Sequence, residues 1–139
     1  MDTVIFACVQ NAGRSQMAAA FFNRLADPAR ACAVSAGTQP GERVHPIVIE
    51  AMDEVGIDLR HARPQLLTSA LAKDATLLIT MGCGDRCPYV PGLQVDDWPM
   101  VDPKDRPIDD VRVVRDEVRM RVVALVADRN WRRNPPRDR

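Results

Sequence analysis

The sequence predicts a single α/β domain, built on a parallel sheet with helices on both of its faces. Short apolar segments that indicate strands alternate along the chain with segments whose apolar residues recur at helical spacing. This alternation is typical of parallel strands that are joined by right-handed helical crossovers. The length of 139 residues, 46% of them hydrophobic, is enough for one core.

The first two strands are predicted from short apolar runs. They cover residues 3–7 and 31–35, and Cys32 is expected to pack as an apolar residue within the second strand. Between them, apolar residues at helical spacing predict a helix that stops at Asp27 and Pro28.

The second helix is expected to begin at Pro46, which suits the first helical position, and to end at Gly56. Its core-facing side chains are predicted to be Val48, Met52 and Val55. His45 and His61 are interpreted as cap or surface residues, because neither is accompanied by a carboxylate or cysteine at metal-ligand spacing.

The second half of the chain predicts two helices and one clear strand. A short helix at residues 68–73 leads into a strand at 75–80. The segment 81–103 is irregular apart from a strand candidate at 93–95, and loops of that length are usually functional or mobile. The last helix covers 108–129. Its core-facing residues are Val111, Val114, Val118, Val122 and Leu125, and its outer pair is Glu117 and Arg121.

Composition and charge give expectations about partners, cellular location and domain bounds. Lys+Arg and Asp+Glu both number 19, so the charge balance gives no reason to expect nucleic acid or an anionic membrane. No apolar run approaches the ~20 residues of a membrane span. Four cysteines behind an N-terminus without a basic leader predict a reducing, cytoplasmic location. The domain is expected to cover residues 1–129, followed by a frayed basic tail at 130–139.

The loop after the first strand carries the strongest functional signal. Cys8 ends the strand, Arg14 follows six positions later, and Ser15 is expected to cap the next helix. A tight loop and a helix N-terminus make a nest of N–H groups that favours anions and the thiolate form of Cys8. The predicted oxyanion-binding residues are Val9, Gln10, Asn11, Ala12, Gly13 and Arg14. The alternative is a small buried cysteine at a strand end.

Two further cysteines follow the third predicted strand. Cys83 is flanked by Gly82 and Gly84, and Cys87 comes four residues later. If strands one and three are neighbours, Cys83 lies at the same sheet edge as Cys8. One helical turn would place the Cα atoms of Cys83 and Cys87 roughly 6 Å apart, which a disulfide accepts. Redox chemistry is the favoured interpretation, with idle thiols or half of a zinc site as alternatives.

An acidic residue further on is a candidate proton donor. Asp102, which precedes Pro103, could protonate a leaving oxygen if its loop reaches the site. An ordinary turn is the competing interpretation, because Asp-Pro is common in turns. Spacing alone leaves both open.

Four sequence pieces together carry a family resemblance: Cys8-Val-Gln-Asn-Ala-Gly-Arg-Ser-Gln-Met-Ala18, Ser35-Ala-Gly-Thr38, Met81-Gly-Cys-Gly-Asp-Arg-Cys-Pro88, and Asp97-Trp98 through Asp102-Pro103. The chain resembles the thioredoxin-linked arsenate reductases that share the low-molecular-weight tyrosine phosphatase fold. The resemblance extends over nearly the whole length. It implies a four-stranded parallel sheet of order 2-1-3-4.

The resemblance also implies an arsenate-reducing mechanism without a cofactor. Cys8 attacks arsenic, Asp102 protonates the departing oxygen, Ser15 helps to ionise Cys8, and Asn11 stiffens the loop. Cys83 then attacks Cys8 and releases arsenite. Cys87 attacks Cys83, which leaves a Cys83–Cys87 disulfide for thioredoxin or a similar thiol reductant. Phosphate and sulfate would act as oxyanion mimics, and the enzyme is expected to be a monomer.

Two departures from the family pattern and one alternative function remain. Only Gly84-Asp-Arg86 separates the second and third cysteines, whereas better-known relatives have a longer insert. Some relatives hold potassium with a carboxylate on the first helix; residues 17–22 offer none, so no metal ion is predicted. The alternative is a tyrosine phosphatase that uses the same loop. Against it, Lys104 stands where such phosphatases favour an aromatic residue, and Tyr89 is the single tyrosine. A sensing module ranks below both enzymes.

Overall fold

The chain is described by a computed structural model, which covers residues 1–82 and 91–133. Strands and helices are interspersed along it, with two helices between the second and third strands. The elements are β1 (Asp2–Cys8), α1 (Arg14–Leu25), β2 (Ala31–Gly37), α2 (Pro46–Asp53), α3 (Ser69–Lys73), β3 (Leu77–Thr80), β4 (Gln94–Asp97) and α4 (Ile108–Asp128).

The four strands form one parallel sheet in the order β2-β1-β3-β4, which confirms the predicted order. The central strand β1 places Cys8 beside Gly37 of β2 and Ala7 beside Thr80 of β3. Because parallel strands end at the same edge, the loops after β1, β2 and β3 converge there. The assumption that β1 and β3 are neighbours is therefore confirmed.

Helices cover both faces of the sheet because alternate strand residues point to opposite sides. Val4 and Phe6 belong to the larger core, which includes buried residues of α1, α2 and α4. Ile5 and Ala7 belong to a smaller core that includes Ala72 of α3. None of the helices in the described ranges is long and apolar enough to cross a membrane.

Helix α2 is shorter than predicted, and this changes the position of one residue. Val48 and Met52 are fully buried, as expected, but Val55 is 37% exposed. The helix ends at Asp53, and the chain then turns through Gly56 with φ of +81°. Val55 therefore lies in the turn and not on the core-facing stripe, so its predicted burial is wrong.

Helix α4 and the chain after it pack more extensively than expected. The pair Glu117–Arg121 is present with an N–O distance of 3.5 Å. The predicted core residue Leu125 is half-buried against the core, and Val126 beside it is buried as well. The predicted fraying from residue 130 is wrong for 130–133. Trp131 is 5% exposed and its ring centroid lies 5.7 Å from that of Phe22. Residues 134–139 lie outside the described part.

Candidate active site

The site is built where β1, β2 and β3 end. Cys8 is the last residue of β1, Gly37 is the last residue of β2, and Gly82 follows β3 by two positions. The side chain of Cys8 is 3% exposed. The first turn of α1 begins at Arg14, so the loop from Cys8 to Gly13 connects the sheet edge directly to a helix N-terminus.

The sulfur of Cys8 has two polar neighbours within hydrogen-bond distance. The backbone N–H of Asn11 donates to Cys8 Sγ at 3.2 Å, and Ser15 Oγ lies 2.9 Å from the same sulfur. Hydrogen bonds to a sulfur favour its thiolate form over the thiol. Both neighbours of the sulfur lie in the segment that the sequence analysis selected around Cys8.

Ser15 does not cap helix α1, which corrects the sequence prediction. The N-cap position is Gly13, with φ of −143°, and no side chain caps the helix. Ser15 lies inside the first turn, and its hydroxyl contacts Cys8 and accepts a hydrogen bond from Asn11 Nδ2 at 2.8 Å. The helix starts two residues earlier than a Ser15 cap would require, so Ser15 lies within the first turn and its side chain faces the sulfur.

The loop turns its carbonyl groups away from the cavity. Thr38, Gln39, Gly41 and His45 donate their backbone N–H groups to the carbonyls of Cys8, Val9, Gln10 and Ala12, at 2.8 to 3.2 Å. The carbonyl of Asn11 accepts from the side chain of Gln16 at 3.0 Å. In a planar trans peptide the N–H points opposite to the C=O, so the loop N–H groups face inward. This is the geometry of an anion-binding nest.

Gly37 permits this arrangement because β2 approaches the loop closely. A Cβ at Gly37 would lie 2.5 Å from the carbonyl oxygen of Val9 and 2.9 Å from the backbone N of Asn11. These contacts are with backbone atoms, so a larger residue would displace the loop itself. Sequence analysis noted Gly37 as part of a motif but did not predict this role.

Arg14 is held over the cavity by three neighbours. Its NH1 donates to the carbonyl of Met100 at 3.0 Å, and NH2 lies 3.7 Å from Asp102 Oδ2. A Cβ at Gly82 would lie 2.6 Å from Arg14 NH1, so the glycine makes room for the guanidinium. The side chain is 10% exposed, which keeps a positive charge in a partly desolvated position.

These groups enclose a cavity of about 300 Å³. It is lined by Cys8, Val9, Gln10, Ala12, Gly13, Arg14, His45, Gly82, Asp102 and Lys104. Of the predicted oxyanion-binding residues, only Asn11 is absent from the lining, because it is completely buried behind the loop. Arg14 and Lys104 bring positive charge to the walls, and Asp102 brings the carboxylate.

Asp102 reaches the cavity from the loop that precedes α4. Its side chain is 55% exposed, and its Oδ1 accepts the backbone N–H of Lys104 at 3.0 Å. Pro103 packs directly on the nest, since its Cγ lies 3.0 Å from the position of a Cβ on Gly13. The carboxylate therefore faces the cavity and water at once, a position that suits a proton donor.

His45 is a wall residue that sequence analysis assigned only to a cap or the surface. It occupies the N-cap position of α2, and its backbone N–H holds the carbonyl of Ala12 at 2.9 Å. Partial burial lowers the pKa of its imidazole from the ordinary value, against the opposing effect of Asp102. The neutral ring is thus favoured. Its position before Pro46 marked a helix start but could not indicate the cavity.

The remaining predicted site residues have different outcomes. Cys83 and Cys87 lie outside the described residues, and Gly82 is the last described residue before them. Cys32 is half-buried in β2, with its sulfur 3.8 Å from Thr3 Oγ1 and outside the cavity. Within residues 1–82 and 91–133, no three His, Cys, Asp or Glu side chains form a group that could hold a metal ion.

Comparison with known proteins gives a consistent family. The chain matches the family model for low molecular weight phosphotyrosine protein phosphatase over residues 3–134. The glutaredoxin arsenate reductase of Synechocystis sp. is 35% identical over 130 residues, which cover 91% of this chain and 98% of the relative.

Two solved structures share the fold. A thioredoxin-dependent arsenate reductase of Corynebacterium glutamicum has a TM-score of 0.80 and 34% identity; the match covers 92% of this chain but 61% of that one. An arsenate reductase in its phosphate-binding state has a TM-score of 0.80 and 33% identity, over 92% of this chain and 98% of that one. This chain therefore belongs to the low molecular weight phosphotyrosine protein phosphatase family and, within it, to the group of arsenate reductases.

Proposed function

We propose that this protein reduces arsenate to arsenite, with Cys8 as the nucleophile and Cys83 and Cys87 as the carriers of the resulting disulfide. The position of the Cys8 sulfur carries the proposal. It is buried in a polar cavity beside Arg14, with the Asn11 N–H at 3.2 Å and the Ser15 hydroxyl at 2.9 Å. A thiolate held by such donors is a competent nucleophile at neutral pH.

The size and chemistry of the cavity suit a small inorganic oxyanion. Inward N–H groups and the planar fork of Arg14 match the oxygens of a tetrahedral anion. Among the described residues that line it, none is Phe, Tyr or Trp. The substrate class that fits is arsenate, for which phosphate and sulfate would serve as non-reducible mimics.

In the first step, arsenate lies on the loop N–H groups and Arg14. The Cys8 thiolate forms a bond to arsenic while one As–O bond breaks. Asp102 supplies the proton with which that oxygen leaves as water. Because Asp102 lies 3.7 Å from Arg14, the acid and the anion-binding guanidinium are close enough to act on the same substrate.

In the second step, the thiolate of Cys83 attacks Cys8 Sγ. The S–As bond breaks and its electron pair stays on arsenic, which falls from the +5 to the +3 state and leaves as arsenite. Cys87 then attacks Cys83, so Cys8 departs as a thiolate and a Cys83–Cys87 disulfide remains. Gly82, which precedes Cys83 in the sequence, forms part of the cavity wall and supports this order.

An external dithiol must return two electrons to that disulfide. The relatives differ here, since one is named a glutaredoxin arsenate reductase and another a thioredoxin-dependent arsenate reductase. We propose thioredoxin or a similar thiol reductant, because an internal Cys83–Cys87 disulfide is the form that a dithiol protein reduces directly.

Phosphatase activity is the second candidate, and the family's name favours it. The same loop, Arg14 and Asp102 would transfer a phosphoryl group to Cys8. Lys104 adjoins Pro103 on the cavity wall and offers no ring for an aryl substrate to stack on. We therefore expect weak hydrolysis of p-nitrophenyl phosphate that survives Cys83→Ser and Cys87→Ser, because phosphorus is not reduced by thiols.

The deciding experiment measures arsenate-dependent NADPH oxidation with thioredoxin and its reductase, beside p-nitrophenyl phosphate hydrolysis. The wild type should oxidise NADPH over many turnovers. Cys87→Ser should release about one arsenite per enzyme and retain a Cys8–Cys83 disulfide by peptide mapping. Wild type treated with arsenate alone should carry the Cys83–Cys87 disulfide.

Cys32→Ser is the matched control, because Cys32 lies outside the cavity. It should keep multiple turnovers. A small-molecule thiol bonded to Cys8 in both wild type and Cys87→Ser would contradict the internal relay.

The expectations of a monomer, a cytoplasmic location and the absence of a bound metal ion stay predictions from the sequence.

A further inference from the structure

Gln16 makes an unusual set of contacts directly behind the nucleophile loop. It lies in the first turn of α1 and is 5% exposed. Its Nε2 is directed at three oxygens: the carbonyl of Asn11 at 3.0 Å, Asn11 Oδ1 at 3.3 Å and the carbonyl of Arg63 at 3.3 Å. Gln16 does not line the cavity, so it contacts neither the substrate position nor Cys8.

The direction of each hydrogen bond in this cluster is fixed by the backbone. Carbonyl oxygens only accept, so the amide NH₂ of Gln16 must face Asn11 and Arg63. The backbone N–H of Gln65 only donates, and it bonds to Asn11 Oδ1 at 2.9 Å. Asn11 Oδ1 therefore accepts two hydrogen bonds, from Gln16 and from Gln65. This fixes the orientation of the Asn11 amide, so its NH₂ group must lie on the opposite side.

That orientation determines what Ser15 does. Asn11 Nδ2 donates to Ser15 Oγ at 2.8 Å, so the serine oxygen is an acceptor in this contact. The single hydroxyl proton of Ser15 is then free to point to Cys8 Sγ, 2.9 Å away. A sulfur that accepts this proton and the Asn11 N–H is stabilised as a thiolate.

Asn11 needs support to hold this position. Its φ is +52°, in the left-handed region that residues other than glycine seldom adopt. The side-chain amide of Gln16 donates to the backbone carbonyl and to the side-chain oxygen of Asn11. The backbone N–H of Gln65, in the segment beside β2, donates to the same side-chain oxygen. Gln65 lies far along the chain from Cys8, so a distant segment helps Gln16 to fix the loop.

We propose that Gln16 is a positioning residue of the nucleophile, which acts through Asn11 and Ser15 to keep Cys8 in its reactive thiolate form. This proposal rests on the proposed role of Cys8 as nucleophile, but it concerns the free enzyme and needs no arsenate. The backbone N–H of Gln65 already sets the orientation of the Asn11 amide, and Gln16 reinforces it by donating to both oxygens of Asn11.

The test replaces Gln16 with methionine, which keeps the length of the side chain and removes both N–H donors. Alkylation of Cys8 by iodoacetamide is followed by mass spectrometry across pH. Trypsin yields residues 1–14 as a peptide with Cys8 as its one cysteine. We expect Gln16→Met to react about tenfold more slowly at pH 7 and to recover towards the wild-type rate at higher pH, because the thiolate is less favoured.

Asn23→Ala is the matched control. Asn23 is another amide on α1, and it bonds to both the N–H and the carbonyl of Ala33 in β2, at 2.8 and 2.9 Å. Its loss should lower the melting temperature without moving the pH profile of Cys8. An unchanged profile in Gln16→Met, or equal displacement in both variants, would overturn the proposal.

If Gln16→Met does not fold, an NMR titration of the wild type tests the same proposal. The side-chain NH₂ resonances of Gln16 and Asn11 should shift with the same pH midpoint as Cys8 alkylation, while those of Asn23 should not. Insensitive Gln16 resonances would overturn the proposal. Alkylation requires no arsenate. If the protein fails to reduce arsenate but Gln16→Met shows the expected change in Cys8 alkylation, only the proposed function is disproved.

Discussion

The two sides of the cavity are held in different ways. In the nest, the carbonyls of residues 8–12 all have hydrogen-bond partners, and Asn11 is completely buried. On the opposite side, the side chain of Asp102 is 55% exposed. Among the described residues, it accepts a hydrogen bond from the backbone N–H of Lys104, and its Oδ2 lies 3.7 Å from Arg14 NH2. The rigid side supplies charge and the looser side supplies the candidate acid.

This difference follows from what each side must do. Groups that stabilise developing charge are most effective when they are already oriented and need no reorganisation. A proton donor must recover its proton in every cycle, so contact with water is an advantage. Changes to the nest should therefore remove activity, whereas changes to the rim of the cavity, which is the loop that carries Asp102, should reduce it.

The largest effects are expected in the nest. Cys8→Ser should abolish arsenate reduction, because a serine hydroxyl in this position is not ionised and cannot form the disulfide. Arg14→Ala should lower the rate by about 10²–10³-fold, as expected for the loss of one donor that stabilises the transition state. Both are measured by arsenate-dependent NADPH oxidation, and substantial activity in Cys8→Ser would disprove its role as nucleophile.

A smaller effect is expected at the rim. Asp102→Asn keeps the shape of the side chain but cannot deliver a proton, so kcat should fall by about 10²-fold. Oxyanion affinity, measured as competitive inhibition by phosphate, should change little because the nest and Arg14 are intact. An unchanged kcat would make Asp102 an ordinary turn residue.

Gly82→Ala tests the contact between the two sides. The new Cβ would lie 2.6 Å from Arg14 NH1, so the guanidinium must move and kcat/KM should fall at least about tenfold. Gly56→Ala is the matched control. Its φ is +81° against +105° at Gly82, and its Cβ would meet Arg24 NH1 at an ordinary 3.6 Å.

Both variants carry the backbone strain of a positive φ and should lose stability. Only Gly82→Ala should lose activity in the fraction that remains folded. Equal activity losses in the two variants would show that strain, and not the displacement of Arg14, is responsible.

The sequence predicted the parts of this molecule that depend on local chemistry. Apolar periodicity located the strands and helices, and the Cys8-to-Arg14 spacing located the nest. These features are set by residues close together in the chain. The neighbourhood of β1 and β3 was an assumption in the sequence analysis, and the strand order was implied by the family resemblance and not by the pattern of residues.

What sequence analysis missed depends on contacts between distant segments. Gly82 is required because Arg14 passes over it, and Gly37 because the backbone at Val9 lies against it. Ser15 was assigned to a cap because serine commonly fills that position, whereas here Gly13 is the N-cap. Trp131 follows α4 and packs on Phe22 of α1, so no local pattern around residue 130 could exclude fraying.

The smallest effect is expected outside both sides of the cavity, at the far end of α2. Glu54 accepts hydrogen bonds from Arg112 Nε at 2.9 Å and from Arg115 NH1 at 2.8 Å, which joins α2 to α4. The hydrogen bonds from Arg112, and then those from Arg115, lower the pKa of Glu54 from 4.5 to about 2. A lowered pKa in the folded state means that the pair stabilises the fold above about pH 4.5 and is lost as pH falls towards 2.

Glu54→Gln should therefore lower the melting temperature slightly at pH 7, and its difference from the wild type should shrink between pH 4.5 and 2. Glu50→Gln is the control, since Glu50 lies on α2 one turn before Glu54 and has no ion pair among the described residues. Arsenate reduction at pH 7 should be unchanged in both. A loss of activity in Glu54→Gln would mean that the N-terminus of α2, where His45 holds the Ala12 carbonyl, depends on the anchor at its other end. The nest would then be less self-contained than its own hydrogen bonds suggest.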